Sequence, residues 1–271
     1  MTAQTTSRSK SKHNSSNMTQ TLQRGLDVLR AFRCDAKPLS NRTIAERSDL
    51  PKATVSRITS TLVSLGYLVR LPTLGHYQLG AGMLSVGSAY LEASDIRRAA
   101  LPLIEQFAAR HSVSVSLAVP DHLQMIYVVW CRSPDTVSLR LTAGSALPMD
   151  RTAIGRAYLW ALPAPEQRAL MAQIRAAAGA RANKIVAGIN SAFADLDRYG
   201  YCISIAELQK NTFGIGVPLV LDDGRTILAL GAGGANLDIK EATLRRSVAM
   251  NLLALAADVR NAIAESRDID V

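Results

Sequence analysis

Apolar residues recur at three- and four-residue intervals through much of the first eighty positions, which predicts a group of short amphipathic helices. The most informative segment runs from about Pro51 to Leu65. Proline suits the first helical position, where its missing N–H costs nothing, and Gly66 supplies a stop just past the end. The apolar stripe of this segment comprises Val55, Ile58, Leu62 and Leu65. One face of the helix is therefore predicted to pack against the rest of a domain.

The opposite face of this helix is short, polar and basic. Its members are Ala53, Ser56, Arg57 and Ser60, with Lys52 and Thr54 beside the N-terminus. No acidic residue occurs between Lys52 and Arg70. A helix with such a face can enter the major groove of DNA without electrostatic or steric obstruction.

Two earlier segments predict the helices that support this one. Residues 19–32 form the first, with an apolar stripe made of Leu22, Leu26, Leu29 and Phe32. Ser40 or Asn41 can cap the second, whose turn contains no glycine, so Asp49 is expected in the left-handed conformation. The inward residues of this second helix are Ile44 and Ala45.

After Gly66, two short strands flank the turn at 72–75 and predict a hairpin, the wing of a winged helix-turn-helix. Arg70 or the wing tip near His76 can reach phosphates, while Arg57 either reads a guanine or clamps a phosphate. The helix-turn-helix proper is placed at 41–60. The predicted DNA contacts are Asn41, Arg42, Thr43, Lys52, Ala53, Thr54, Ser56, Arg57, Ser60 and Arg70.

Residues 81–94 are predicted to be a linker helix with an apolar side. That side comprises Met83, Leu84, Val86, Tyr90 and Leu91. It is either a dimerisation element or a face that packs on its own chain. A further helix restarts at Asp95, and Pro102 marks either a kink in it or its true beginning.

From Val113 the period of the pattern changes to two, which predicts strands. The predicted strands are 113–119, 123–130, 137–141, 201–205, 213–221 and 226–231. The predicted helices are 153–162, 166–177, 187–199 and 239–263, the last with a stripe of Leu244, Val248, Leu252, Leu255, Val259 and Ile263. An antiparallel sheet with helices before, within and after it is an α+β domain.

The net charge of +9 is concentrated at the N-terminal end of the 271-residue chain. Residues 1–80 contain twelve Lys and Arg against four Asp and Glu, whereas residues 81–271 contain nineteen against eighteen. This distribution is the electrostatic footprint of a nucleic-acid module. Residues 1–17 are polar and basic without an apolar core, so they predict a disordered tail rather than a secretory signal, and Met18 is an alternative start.

The remaining composition favours a cytoplasmic, non-enzymatic protein. No apolar run is long enough to span a membrane, and three widely spaced cysteines without a CxxC pair support neither disulfides nor zinc. No nucleophile elbow, P-loop or HExxH motif occurs, and GAGGAN (231–236) departs from a dinucleotide loop at Asn236. No cofactor is expected. Two alternatives stay open: a ligand-independent architectural DNA-binding protein, and an enzyme with a basic appendage.

Five segments in order resemble the IclR family of bacterial transcriptional regulators, and the resemblance covers about residues 18–265. The segments are LPKATVSRITSTLVSLGYLVR (50–70), HYQLG (76–80), SALPMDRTAIGRAYLWAL (145–162), RYGYCISIAELQKNTFGIGVPLVLDDG (198–224) and TILALGAGG (226–234).

This resemblance implies a winged helix-turn-helix at 18–80 that binds operator DNA, and a C-terminal GAF/PAS-like effector-binding domain at 95–266. The implied partners are double-stranded DNA, a small carboxylate or aromatic acid effector, and further copies of the chain in a homodimer or tetramer. The implied effector-binding residues are Met149, Arg151, Thr152, Ser204, Thr212, Gly214 and Gly231.

Departures from the family pattern bear on this pocket. Arg156 replaces the usual lysine, Asn211 replaces a usual glycine, and only Glu207 remains where acids are common. Glycines on sheet positions predict a wider and less acidic pocket. We therefore expect an anion bulkier than a two- or three-carbon acid, with Arg151 facing its carboxylate.

Overall fold

The computed structural model describes residues 19–32, 37–132, 141–221, 224–235 and 241–268. The chain divides between Gly87 and Ser88 into two units. The predicted tail at 1–17 lies outside the described residues, as do 137–140 of one predicted strand.

The N-terminal unit is a winged helix-turn-helix, as predicted. Its helices are α1 (Gln20–Arg30), α2 (Asn41–Ser48) and α3 (Lys52–Ser64), and its strands are β1 (Leu39–Ser40), β2 (Leu68–Leu71) and β3 (His76–Leu79). The wing hairpin β2–β3 is antiparallel, and β1 adds to the free side of β3, giving the order β1-β3-β2. The two-residue strand β1 is too short to leave a periodic signal, so sequence reasoning missed it.

Local chemistry sets the boundaries of these helices. The Ser40 hydroxyl caps α2 by accepting from the Thr43 N–H at 3.1 Å. Asp49 ends α2 with φ 54° and ψ 39°, the left-handed conformation predicted for it. Pro51 serves as the N-cap of α3, so this helix begins at Lys52, one residue later than expected.

The core of the unit is assembled from all three helices and β1. Its buried members are Val28, Ala31, Leu39, Ile44, Ala45 and Val55. Two predicted stripes are wrong in part, because Leu22 and Leu65 are each 63% exposed. The buried face of α1 instead passes through Val28 and Ala31, since α1 meets its neighbours through its C-terminal half. On α3, Thr59 takes an inward position and bonds its hydroxyl to the Val55 carbonyl at 2.9 Å.

Two helices follow the wing, α4 (Ala81–Glu92) and α5 (Asp95–His111). No residue of α4 is buried, and Leu84, Val86 and Tyr90 are 73%, 57% and 56% exposed. Pro102 lies inside α5, so it does not mark the beginning of that helix, which is capped by Ser94. Three of the five residues on the predicted apolar side are therefore exposed, while Leu91 packs against the core of the C-terminal unit.

A six-stranded antiparallel sheet forms the centre of the C-terminal unit, in the order β6-β5-β4-β9-β8-β7. Its strands are β4 (Ser114–Asp121), β5 (Gln124–Cys131), β6 (Ala146–Pro148), β7 (Cys202–Ile205), β8 (Thr212–Leu221) and β9 (Thr226–Ala235). The short strand β6 was not predicted. Residues 231–235 continue β9 and pair with β8, so the glycine-rich stretch is a strand and not a phosphate-binding loop.

Helices cover both faces of this sheet, which confirms the predicted α+β architecture. One face packs against α5 and the closing helical segment, α9 (Glu241–Leu244), a π-helical turn (Arg245–Ala249) and α10 (Met250–Asp268). All six residues of the predicted closing stripe are buried. The other face packs against α6 (Ala153–Ala161), α7 (Ala164–Ala178) and α8 (Ala182–Tyr199), which ends at the left-handed Gly200. Among the described residues, no helix has the length and apolar composition to cross a membrane.

Candidate functional site

The outward face of α3 is the candidate DNA-binding surface. Five predicted contacts on it are exposed, namely Lys52, Ala53, Ser56, Arg57 and Ser60, while Thr54 is half-buried. Val55 and Thr59 are fully buried on the opposite side. Burial of one side thus fixes which residues α3 presents outward, and Arg70 is exposed on the wing strand β2.

Helix α2 contributes three predicted contacts, and each has a partner within the unit. The Asn41 amide donates a hydrogen bond to the Ser56 hydroxyl, which ties the first turn of α2 to the outward face of α3. Arg42 donates to Glu46 at 2.8 Å, and both side chains are well exposed. Thr43 belongs to the α2 cap, with its hydroxyl 2.9 Å from that of Ser40. Asn41 is therefore placed to orient Ser56, and Arg42 shares its charge with an acid.

In the C-terminal unit, two rows of small residues cross the sheet on the face covered by α6. Directly opposed pairs give the row Ser114, Gly233, Gly214 and Ser204, and the row Ser116, Gly231, Gly216 and Cys202. Opposed residues of an antiparallel sheet share a face, and residues two apart on one strand do so too. We call Gly214, Gly216, Gly231 and Gly233 the glycine floor. Serine hydroxyls thus flank a floor without side chains.

The glycine floor allows close approach of neighbouring atoms, tightest at Gly216 and least tight at Gly214. A Cβ at Gly216 would lie 2.2 Å from the Ala153 carbonyl oxygen, so only glycine fits there. A Cβ at Gly214 would meet the Ser204 hydroxyl at 3.3 Å and the Ala153 Cβ at 3.8 Å, which is close to ordinary contact. The result is a cavity of about 80 Å³ between the floor, the start of α6 and the β7–β8 loop. It has room for a compact ligand.

Hydroxyl groups dominate the polar lining of this cavity. They belong to Ser114, Ser116, Tyr127, Thr152, Ser204 and Thr212. Ser114 is 7% exposed, and its hydroxyl has no hydrogen-bond partner among the described residues. Burial raises the pKa of Tyr127 to about 12, partly opposed by a hydrogen bond with Ser116, so its hydroxyl is neutral at physiological pH. An unpaired buried hydroxyl is costly in an empty site and is satisfied by a polar ligand.

The structure brings five of the seven predicted effector-binding residues to the cavity. Those in the lining are Thr152, Ser204, Thr212, Gly214 and Gly231. Met149 is fully buried in the core beneath α6. The Arg151 side chain is 42% exposed, and its Nε lies 3.7 Å from the Asp150 carboxylate. Neither Met149 nor Arg151 is part of the lining.

Sequence reasoning missed the lining residues on β4 and β5. These are Ser114, Ser116, Tyr127 and Trp130. A signal for the serines was present, because VSVSLAV places Ser114 and Ser116 on one face of a strand whose other face is apolar. The position of Tyr127 and Trp130 in the lining could be inferred only from the pairing of β5 with β4, which brings Trp130 opposite Ser116.

An ion pair between a buried arginine and a partly exposed glutamate joins α6 to the β7–β8 loop beside the cavity. The Arg156 side chain on α6 is 3% exposed, and its Nη1 donates to Glu207 Oε1 at 2.7 Å while Nη2 donates to Oε2. Its Nε donates to the Asp150 carbonyl at 3.2 Å. Gly188 on α8 makes room, since a Cβ there would lie 2.9 Å from Arg156 Nη2. Arg156, which replaces the usual lysine, thus forms a bidentate clamp with the retained acid Glu207, and Glu207 is part of the cavity lining.

The described residues contain no group of three histidine, cysteine, aspartate or glutamate side chains placed to hold a metal ion. Cys131 and Cys202 are free thiols, and burial raises the pKa of Cys202 to about 12. What the cavity offers a ligand is therefore hydrogen bonding and one clamped carboxylate.

Comparisons with known proteins agree with this two-part organisation. Residues 21–72 match the IclR helix-turn-helix domain, and residues 88–261 match the bacterial transcriptional regulator IclR C-terminal domain. The HTH-type transcriptional regulator TsaQ1/TsaQ2 of Comamonas testosteroni is 28% identical over 245 residues, covering 90% of this chain and 88% of that protein.

Solved structures give the same result. An IclR family transcriptional regulator from Brucella abortus is 32% identical, with a TM-score of 0.82 over 94% of this chain and 96% of that one. An IclR homolog from Microbacterium hydrocarbonoxydans, complexed with 4-hydroxybenzoate, shares the fold at 23% identity, with a TM-score of 0.65 over 90% of this chain and 99% of that one. The predicted resemblance is confirmed, and the chain belongs to the IclR family of bacterial transcriptional regulators, which act by binding DNA and not as enzymes.

Proposed function

We propose that the C-terminal cavity binds a compact organic effector, and that this binding changes the affinity of the winged helix-turn-helix for operator DNA. One observation carries the proposal: the buried Ser114 hydroxyl, which has no hydrogen-bond partner among the described residues, lines the cavity beside the glycine floor. A buried hydroxyl of this kind is satisfied by a polar ligand.

On the DNA side, we assign the major-groove contacts to the outward face of α3. Arg57 is the principal base-reading or phosphate-clamping residue, and Lys52 and Thr54 lie at the helix N-terminus, which favours phosphate. The other assigned contacts are Asn41, Arg42, Thr43, Ala53, Ser56, Ser60 and Arg70. Because the Asn41 amide bonds to Ser56, its contribution includes holding that side chain in place.

We further assign the exposed apolar side of α4 to contact between copies of the chain, in a homodimer or a tetramer. Three large apolar residues on one short helix form a surface that soluble monomers rarely leave open. Two winged helices in a dimer would address two half-sites. Effector binding then acts by stabilising one relative pose of these two units over another, and operator affinity follows from that difference.

For the effector itself, carboxylates and aromatic acids are the class to test first. The 4-hydroxybenzoate bound by the Microbacterium homolog supports an aromatic hydroxy acid as the first probe. The described lining contains no lysine or arginine, so hydroxyl donors would hold the carboxylate here. The expected role of Arg151 stays a prediction, and its position outside the described lining does not favour it.

A Ser114→Ala variant tests the effector site without disturbing the fold. The Ser114 hydroxyl bonds to no described group, so its removal should leave the melting temperature unchanged. Binding of 4-hydroxybenzoate, measured by calorimetry on the full chain, should weaken about tenfold, as expected for one lost hydrogen bond to a charged ligand. The matched control is Ser247→Ala, an exposed serine whose hydroxyl bonds within its own helix.

The regulatory step needs a second measurement. Operator sequences are first selected from random double-stranded oligonucleotides, and affinity is then measured by fluorescence anisotropy with and without ligand. We expect a ligand-dependent change that the Ser114→Ala variant shifts to higher ligand concentration. Equal operator affinity with and without every carboxylate in a broad panel would identify an architectural DNA-binding protein instead.

A further inference from the structure

The two ends of the cavity differ in what they can donate or accept. One end carries the hydroxyls of β4 and β5, and the other carries the Glu207 carboxylate. We propose that Glu207, held in place by Arg156, determines which ligands the cavity accepts. Its carboxylate accepts a hydrogen bond from a hydroxyl at the end of the ligand that lies near the β7–β8 loop. A second carboxylate at that end of the ligand is excluded. This inference rests on the proposed effector function and names the ligand class.

The rows across the sheet set the length of the site. Ser114 and Ser204 stand at opposite ends of one row, with Gly233 and Gly214 between them. Three inter-strand spacings of about 4.8 Å place their Cα atoms roughly 14 Å apart. Of the two intervening glycines, Gly214 lies under Ala153, whereas the atoms nearest to a Cβ at Gly233 belong to the backbone of β8 and not to α6. A single ring with polar groups at opposite ends spans such a site.

The β4–β5 end suits a hydrogen-bond acceptor. Ser114 and Ser116 alternate on one strand, and the Tyr127 hydroxyl bonds to Ser116. The raised pKa of Tyr127 keeps its proton available for donation at physiological pH. Hydroxyl donors aimed at a carboxylate form short, charge-assisted hydrogen bonds. We therefore place the single carboxylate of the ligand at this end.

The β7–β8 end suits a hydrogen-bond donor. Both Glu207 oxygens already accept from Arg156, yet a carboxylate has about four lone-pair sites, so two stay available. The Glu207 side chain is 38% exposed and lines the cavity, whereas Arg156 is 3% exposed and is absent from the lining. A ligand at this end therefore meets acceptor oxygens and not the guanidinium. A hydroxyl group can donate to them, and a second carboxylate cannot.

Arg156 is a positioning residue in this scheme. Its three observed hydrogen bonds tie α6 to the β7–β8 loop and to the Asp150 carbonyl. The loop turns back sharply, with Ala206 at φ 57° and Asn211 at φ 64°, and the Ala206 N–H donates to the Thr212 carbonyl at 2.8 Å. The clamp therefore holds Glu207 at one place against the cavity.

Three para-substituted benzoates on the wild-type full chain provide the first test. Calorimetry should rank 4-hydroxybenzoate above benzoate by about tenfold, since the added hydroxyl bonds to a charged acceptor. Terephthalate, which carries a second carboxylate in place of that hydroxyl, should bind more weakly than benzoate. Terephthalate binding as tightly as 4-hydroxybenzoate would overturn the inference, because it would mean that an anion displaces Glu207 from Arg156.

A double variant tests whether the ranking of the benzoates depends on the ion pair between Arg156 and Glu207. Glu207→Gln alone leaves Arg156 buried without its partner and lowers stability, so the double variant Arg156→Met with Glu207→Gln is the cleaner test. Its neutral amide can donate to a carboxylate, and we expect the preference for 4-hydroxybenzoate over terephthalate to fall at least tenfold. Glu105→Gln, on the exposed side of α5, is the matched control. An unchanged preference in a folded double variant would refute the role of Glu207.

The outcomes for the inference and for the proposed function are distinct. If Ser114→Ala weakens ligand binding, the effector site is supported. If the double variant still ranks the three benzoates as the wild type does, the role of Glu207 is rejected. Failure of all three benzoates to bind overturns the inference, while a thermal-shift screen of aliphatic and hydroxylated acids still tests the effector site.

Discussion

The outward face of α3 and the C-terminal cavity are the two polar surfaces on which the proposed function depends, and they are built in opposite ways. The α3 face comes from one helix, is exposed and carries positive charge. The cavity comes from strands, a helix start and a loop distant in sequence, and its polar lining consists mainly of hydroxyls. Long-range charge suits recognition of a polyanion, whereas a concave set of weak donors suits discrimination among small molecules. Four changes test this contrast.

The largest expected effect belongs to the glycine floor. Gly216→Ala places a Cβ where the Ala153 carbonyl stands 2.2 Å away, so the sheet and α6 must separate. We expect a loss of about 3 kcal/mol in unfolding free energy, typical of overpacking against backbone. Denaturant titration measures this loss. Gly214→Ala is the matched control on the same strand and should cost less than half as much, because its Cβ meets ordinary contacts. Equal losses would show that the floor is not a close-packing device.

On the DNA side, Arg57→Ala should weaken operator binding by about 1–3 kcal/mol. If Arg57 reads a base, the loss is accompanied by relaxed specificity at one position in each half-site. If it clamps a phosphate, the loss is uniform across sequences and the salt dependence becomes shallower. Anisotropy with operator variants at several salt concentrations separates the two. Folding should be unaffected, since Arg57 is exposed.

Alkaline pH should destabilise the folded C-terminal unit through Tyr127. The folded pKa of Tyr127 is raised from 10.0 to about 12, so the folded state keeps a proton that the unfolded state loses. Its contribution to stability is complete below pH 10 and is lost as the pH rises through 12, with an expected size of about 3 kcal/mol. Comparison of wild type with Tyr127→Phe isolates this part of the decline. Identical pH profiles would mean that the hydroxyl titrates as a free tyrosine.

The smallest effect is expected from Arg151→Ala. This side chain is 42% exposed, pairs with Asp150 beside it and lies outside the cavity lining. A change in ligand affinity of less than about threefold follows, since exposed ion pairs contribute little. A tenfold loss by calorimetry would place Arg151 at the ligand after all, as the sequence pattern had suggested.

Prediction from sequence succeeded where one segment carries its own signal. The helix-turn-helix, the wing, the left-handed Asp49 and the stripe of the closing helical segment are local features, set by period, caps and turn residues. It failed where burial depends on a partner. Leu22 and Leu65 fit an apolar stripe but stay exposed, and the polar Thr59 is buried because its hydroxyl bonds to its own helix.

The same division holds for the two sites. Every residue proposed on the α3 face could be read from a single helix, because an amphipathic period fixes which side chains share a surface. The cavity could be found only in part. Serines and glycines on three strands become rows only when the strands pair, and Arg156 meets Glu207 across 51 positions of the chain.

The sequence alone therefore determined the family, the architecture and the face proposed to bind DNA, since these rest on short-range patterns and on charge that is counted along the chain. The tertiary structure alone decided that the glycines form a floor, that the Ser114 hydroxyl has no partner among the described residues, and that Arg156 clamps Glu207. The physical reason is that strand register and helix packing bring distant residues within hydrogen-bonding distance, and no local pattern in the chain specifies those distances.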